Sequence, residues 1–171
     1  MKNLLQCALL IAFSICSTQL YAQQIAVINT QELIMLMPET TEMQNNLTAL
    51  QTDLQSTSET MQVEWNTKLT DYQNNVATMT ESARSLKEKD LQDLRTRISE
   101  FEQNAMQELQ LRQEQLLSPI VTKAREAITA VAAEQSIAIV MDMSSGSVIY
   151  NDPAQTLDLM PAVKTKLGIA Q

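Results

Sequence analysis

Histidine is absent from this 171-residue chain, and glycine occurs only twice. Its two cysteines, Cys7 and Cys16, lie close to the N-terminus, so residues 23–171 carry no thiol. Without imidazole or thiol groups, this part of the chain has no Ser-His or Cys-His pair for nucleophilic catalysis and no imidazole or thiolate ligand for a metal. The two glycines, Gly146 and Gly168, are too far apart for a phosphate-binding loop. The sequence therefore predicts a protein that is not an enzyme, with no catalytic residue, no cofactor and no metal site.

The first 22 residues have the layout of a secretory signal peptide. Lys2 is followed by an almost wholly apolar run over residues 4–15 and then by a polar stretch. We predict a signal peptide at residues 1–22 and export to the periplasm. An uncleaved membrane anchor is less favoured because it needs roughly 20 apolar residues. A lipid anchor on Cys16 is also less favoured, because Ile15 stands where a small residue is usual.

Acidic side chains outnumber basic ones by 20 to 12, which gives a net charge of −8. Because the phosphates of a nucleic acid would be repelled, this charge argues against a nucleic-acid partner. Between residues 81 and 97, five basic side chains stand against four acidic ones, whereas residues 39–80 carry −5 and residues 98–118 carry −3. This less acidic segment is a candidate for contact with a membrane, and a solvated surface of balanced charge is the alternative.

Residues 39–135 are predicted to form one long helical arm. Residues 39–118 contain no proline or glycine and are rich in helix-forming side chains. Two stretches repeat apolar residues at heptad spacing and match as mirror images about residue 87, which predicts an antiparallel coiled-coil hairpin with its turn near residues 85–89. The predicted seam consists of Met43, Leu47, Leu50, Leu54, Met61, Trp65, Leu69, Tyr72, Val76, Met79, Ala83 and Leu86, then Leu91, Leu94, Ile98, Phe101, Ala105, Leu109, Leu116, Ile120, Ala124, Ala127 and Val131.

Short elements on either side of the arm predict a small β body made of residues 23–38 and 136–171. Runs of β-branched and aromatic residues predict strands, and Asn29 followed by Glu32 predicts a capped helix start. The predicted strands are 25–28, 137–141 and 147–150, and the predicted short helices are 30–37 and 161–167. Three strands and two short helices make a poor core alone. We therefore expect the strands of several copies to close into one barrel, from which the hairpins project.

Three apolar residues of the arm, Val63, Met106 and Leu111, lie off the predicted seam. They are expected to face solvent or an enclosed space rather than the partner helix. We interpret them as candidate contacts for an unfolded polypeptide. Isolated exposed apolar residues on an ordinary helix are the alternative interpretation.

The order of these elements resembles that of the Skp (OmpH) family of periplasmic chaperones. The segments that carry the resemblance are residues 25–29, Leu33, Pro38, residues 117–120, 127–128, 131–132, 137–142, 148–150 and 158–159, and Val163. Together they extend over the whole chain that follows the predicted signal peptide. The resemblance implies a homotrimer with a β-barrel body and three helical arms that binds unfolded outer-membrane proteins without ATP.

We therefore predict a mostly α-helical, ATP-independent holdase chaperone of the periplasm. Its partners would be unfolded outer-membrane proteins and further copies of the same chain. A structural coiled-coil spacer or adaptor of the cell envelope, without client binding, is the alternative of a different class. A prefoldin-like cytosolic chaperone conflicts with the signal peptide, and hairpin adaptors of export pumps carry larger β domains.

Overall fold

The computed structural model describes residues 24–169, and the predicted signal peptide lies outside these described residues. Two long helices form an arm, and three short strands and two short helices form a body at its base. In chain order the elements are β1 (Ile25–Ile28), α1 (Thr30–Leu36), α2 (Pro38–Asn75), a 3-10 turn (Val76–Thr78), α3 (Glu81–Glu134), β2 (Ile139–Asp142), β3 (Leu157–Asp158) and α4 (Met160–Leu167).

Helices α2 and α3 form an antiparallel hairpin, but its turn is not where the sequence predicted it. Helix α2 begins at Pro38, since proline fits the first helical position, where no N–H donor is needed. The hydroxyl of Thr80 accepts a hydrogen bond from the N–H of Ala83 and so caps the start of α3 after the 3-10 turn. Residues 85–89, the predicted turn, lie inside α3. The cap at Thr80 needs neither glycine nor proline, which is why composition did not reveal it.

Ion pairs between α2 and α3 fix the register of the hairpin. The Nζ atom of Lys68 lies 2.6 Å from Oδ2 of Asp90, and Nζ of Lys87 lies 2.8 Å from Oδ2 of Asp71. The predicted mirror about residue 87 would place Lys68 opposite Met106 instead, about two heptads further along α3. A shift by whole heptads keeps apolar residues opposite apolar residues. Heptad spacing therefore predicts the seam but does not distinguish registers that differ by whole heptads. The predicted register, with its mirror point at residue 87, is wrong.

Burial along the seam is uneven. Leu94 and Ile98 are buried in the outer part of the arm, and Ile120 and Ala124 are buried near the body, whereas most other seam positions are half-buried. Leu86 was assigned to the seam but is exposed, because the assignment rested on the misplaced turn. A seam between only two helices shields each side chain from one direction, so partial exposure is expected.

The sheet is parallel throughout, with β1 between β2 and β3. Ile25 of β1 lies opposite Ile139 of β2, and Val27 lies opposite Asp158 of β3. The central strand thus comes from the N-terminal part of the chain and both of its neighbours come from the C-terminal part. The long arm is the connection that separates them.

The third strand lies at Leu157–Asp158 and not at residues 147–150 as predicted. The predicted segment has β-forming residues, but β1 already has a neighbour on each side, and Ile149 and Tyr150 are exposed. Two residues are too few to give a compositional signal. The fully buried Leu159, directly after β3, holds this strand against the core.

The hydrophobic core lies where the base of the hairpin meets the sheet and the short helices. The predicted helix start at Asn29 is confirmed, because its side chain accepts a hydrogen bond from the N–H of Glu32 at 3.1 Å. Helix α1 then directs its apolar face inwards. The buried members of the core are Ala26, Ile28, Leu33, Met37, Ile120, Ala124, Ala127, Val131, Leu159 and Val163. The last part of α3 therefore contributes to the body as well as to the arm.

Asp142, at the end of β2, joins the two ends of the chain. Its carboxylate accepts hydrogen bonds from the N–H and the hydroxyl of Thr30, at 3.2 and 2.6 Å, and from the N–H of Ser144 at 2.9 Å. Burial by itself raises the pKa of Asp142, but these hydrogen bonds outweigh that effect and hold the pKa below its ordinary value. The ionised carboxylate thus fixes β2 to the first turn of α1.

Candidate functional site

The three arm residues selected from the sequence are all exposed. Val63 on α2 is 63% exposed, and Met106 and Leu111 on α3 are 74% and 56% exposed. Met106 and Leu111 are five positions apart, so they point in directions roughly 140° apart around the helix. The register of the hairpin places Val63 about 15 Å nearer to the turn than Met106. The structure therefore confirms their exposure but does not bring them together into one patch, and their role in binding stays a prediction.

Charged contacts join α2 and α3 in the outer part of the arm. The hydrogen bond from Lys87 lowers the pKa of Asp71 below its usual range, and the hydrogen bond from Lys68 lowers that of Asp90. All four groups are solvated, so the net stabilisation from each pair is small. Their main effect is to keep the two helices in one register while leaving the arm surface polar.

The basic residues of segment 81–97 lie on α3, behind the turn rather than at it. The turn itself, residues 76–80, contains no charged side chain. Part of the positive charge is also neutralised, since Lys87 pairs with α2 and Arg84 lies 3.8 Å from Glu81. Contact of the tip with a membrane surface stays a prediction. Across residues 24–169, no helix combines the length and apolarity that a membrane crossing requires.

A second exposed apolar surface lies on the sheet, whose strands were predicted from the sequence to join several copies. We call it the outer sheet face: Ile25 and Val27 of β1 with Ile139 and Met141 of β2, which are paired in register. Three of them, Ile25, Ile139 and Met141, are more than a third exposed, whereas Val27 is buried at 8% exposure. Ala26, on the opposite face, is fully buried. The sequence predicted these strands, but the outward-facing side chains follow from the pairing, because a shift of one residue would exchange the two faces.

Both flanking strands have an edge that no other strand of the described residues covers. Unpaired strand edges offer N–H and C=O groups to another chain. In the segment between β2 and β3, Ile149 is 99% exposed and Tyr150 is 80% exposed. The body of a single chain therefore presents both an apolar face and free hydrogen-bonding edges.

The described residues offer surfaces for contact with other polypeptides. Within residues 24–169, no group of three His, Cys, Asp or Glu side chains is placed to hold a metal ion. The carboxylate with the most partners described above, Asp142, is occupied by Thr30 and Ser144 of its own chain. The exposed apolar side chains of the arm and the outer sheet face are suited to bind other polypeptides.

Residues 24–167 match the sequence family described as "Outer membrane protein (OmpH-like)". A similar fold is found in the crystal structure of a candidate outer membrane chaperone (OmpH-like) from Caulobacter crescentus CB15, with a TM-score of 0.73. That protein is 14% identical in sequence, and the alignment covers 84% of this chain and 82% of the other. At this level of identity the likeness shows the shared fold. No curated protein sequence matches significantly.

Proposed function

Because this chain belongs to the OmpH-like family, we propose that it is an ATP-independent holdase chaperone of the periplasm. It binds unfolded outer-membrane proteins and keeps their apolar segments apart, so that they do not aggregate. No residue of the chain performs a chemical step in this process.

The observation that carries this proposal is the presence of large exposed apolar side chains on an arm whose own packing does not use them. Val63, Met106 and Leu111 lie off the seam and are each more than half exposed. Burying one such side chain against a client contributes about 1.5–3 kcal/mol. Several weak contacts spread along a long arm hold an unfolded chain without fixing one bound conformation, and they release it without ATP.

The active form that we propose is a homotrimer whose sheets close into a barrel, with the three arms enclosing the client. The outer sheet face and the uncovered strand edges support assembly through the body. The exposed segment 148–150 is suited to pair with an edge of the neighbouring subunit. Assembly would place several arms around one client and so multiply the number of weak contacts.

An aggregation assay tests the proposed function. An unfolded outer-membrane β-barrel protein is diluted from denaturant with and without the chain, and light scattering follows aggregation. Suppression is expected, and replacing Val63, Met106 and Leu111 together by Ser should weaken it while circular dichroism and mass stay unchanged. Because residues 39–80 and 98–118 carry −5 and −3, suppression should depend little on salt. A strong loss between low and physiological salt would show electrostatic capture instead.

A structural spacer or adaptor of the cell envelope is the competing function. It would use the same stiff hairpin but would have no need for exposed apolar side chains. This alternative predicts that the wild-type chain does not suppress client aggregation at any ratio of chain to client. The same assay therefore separates the two functions.

A further inference from the structure

A continuous furrow runs along one side of the hairpin, between α2 and α3, next to the body. Its inner part offers about 250 Å³ of space and its outer part about 390 Å³, and the two parts meet at Asn46. The lining positions recur every three or four residues on both helices, so they form one stripe on each wall. From Glu39 to Leu50 the furrow is about 16 Å long, which accommodates about five residues of extended chain.

The floor of the furrow is apolar, and carboxylates predominate among its charged side chains. Met43, Leu50, Leu116 and Ile120 contribute the floor, and the exposed Leu111 lies at its side. Three acidic side chains, Glu39, Glu42 and Glu108, stand against Lys123 and Arg112. Glu39 and Lys123 already form an ion pair.

One buried acceptor in the furrow lacks a donor among the described residues, and one backbone carbonyl lacks its usual α-helical donor. The Oε2 atom of Glu39 is buried, and no N–H or O–H of residues 24–169 donates to it. Pro119 lies inside α3 and has no N–H, so the carbonyl of Gln115 loses its α-helical donor. Gln115 lines the outer part of the furrow and Pro119 the inner part. The carbonyl without its helical donor therefore lies where the two parts of the furrow meet.

We infer that this furrow is a docking groove for an extended client segment that alternates apolar residues with a basic one. The apolar side chains enter the floor, a backbone N–H donates to the carbonyl of Gln115, and the cation lies beside Oε2 of Glu39 and the carboxylate of Glu42 in the inner part. The unpaired Oε2 atom of Glu39 and the carboxylate of Glu42 select a basic residue over an acidic one. The inference rests on the proposed chaperone function and gives it a defined contact site on each arm.

A short fluorescent peptide tests the groove directly on the full chain without its signal peptide. The peptide carries Leu at alternate positions with one Arg between them, and fluorescence anisotropy gives its Kd. Leu111→Ser should weaken binding about tenfold. The matched control is Leu86→Ser, on the same helix, 69% exposed and outside the furrow, which should leave Kd unchanged. Equal effects of the two substitutions would overturn the inference.

The charge requirement is tested with the same peptide after its Arg is replaced by Glu. The wild-type chain should bind this analogue several-fold more weakly, and Glu42→Gln should reduce the preference for Arg. Glu102→Gln, an exposed carboxylate on α3 outside the furrow, serves as the control and should keep the preference. Equal binding of the Arg and Glu peptides by the wild-type chain contradicts the proposed occupant.

Failure of the groove and failure of the chaperone function give different results. If the wild-type chain suppresses client aggregation but Leu111→Ser binds the peptide as Leu86→Ser does, the groove is wrong and the function stands. If the peptide binds in a Leu111-dependent way but aggregation is not suppressed, the groove stands and the function is wrong. A change of oligomer mass on Leu111→Ser would assign the furrow to contact between copies and overturn the inference.

Discussion

Asp142 uses both oxygens of its carboxylate on residues from two separate parts of the chain. Oδ1 and Oδ2 accept hydrogen bonds from Thr30, which is 112 positions earlier, and from the nearby Ser144. The folded protein favours the ionised form, since the pKa of Asp142 lies below its ordinary value of 3.8. The resulting stabilisation is present above pH 3.8 and is lost as the pH falls from there through the folded-state pKa.

We expect Asp142→Asn to lower the free energy of unfolding by about 1–3 kcal/mol at neutral pH, because an amide cannot accept all of these hydrogen bonds. Urea unfolding followed by circular dichroism measures the change. Asp93→Asn removes the same charge from an exposed position on the arm and should change the stability little. The difference between wild type and Asp142→Asn should shrink as the pH falls below 3.8. A difference that stays constant well below pH 3.8 would show that ionisation of Asp142 is not what stabilises the contact.

At the scale of elements, the sequence was sufficient to predict each feature that depends only on residues close to one another in the chain. β1, the capped start of α1 and the heptad seam were all predicted, since each depends on residues a few positions apart. Three features were not predicted: the turn at Val76–Thr78, the register of the hairpin and strand β3. Each depends on a choice between distant partners. A register shifted by whole heptads satisfies the same apolar spacing, and β3 exists because Leu159 is buried beside it.

The hairpin register can be measured by crosslinking, because the chain has no cysteine after the predicted signal peptide. Cysteines at Asp71 and Lys87, whose side chains meet at 2.8 Å, should be joined within one chain by a short bismaleimide. Cysteines at Asp71 and Gln103, the pair expected for a turn near residue 87, should not react with each other. Efficient linkage of the second pair, read by the mobility of the denatured chain, would restore the register predicted from the sequence.

At the scale of the whole molecule, a single chain leaves apolar surface on both the arm and the body. The sequence predicted the exposed residues of the arm, because they break the heptad spacing. It also predicted assembly through the strands, but the order and pairing of the three strands, which come from opposite ends of the chain, follow only from the structure. The arm is thus the surface that we assign to clients and the sheet is the surface that we assign to further copies.

Ile139→Asp should dissociate the proposed trimer. The charge would be buried without a partner between subunits, which costs several kcal/mol, whereas in the single chain Ile139 is exposed and the fold should survive. Light-scattering mass measures the oligomer, and circular dichroism measures the retained helix content. Leu86→Asp introduces the same charge on the exposed arm and should leave the mass unchanged. A native mass for Ile139→Asp would exclude assembly through the outer sheet face.

For the N-terminus-first export that the sequence predicts, the parallel sheet with its N-terminal strand in the centre also sets an order of events. β1 emerges early, but both of its neighbours are among the last residues to arrive, so no strand pair can form until translocation is nearly complete. The hairpin can close sooner, because its contacts lengthen stepwise from its turn, with the Lys87–Asp71 pair spanning 16 positions and the Lys68–Asp90 pair 22. Because α2 and α3 pair from the turn towards the body, their pairing brings β1 close to β2. This removes most of the loop-closure entropy that a separation of more than a hundred residues would impose. The arm therefore holds the strands close together while the body forms. A chain that stalls before β2 would expose an unpaired apolar strand until it is completed or degraded.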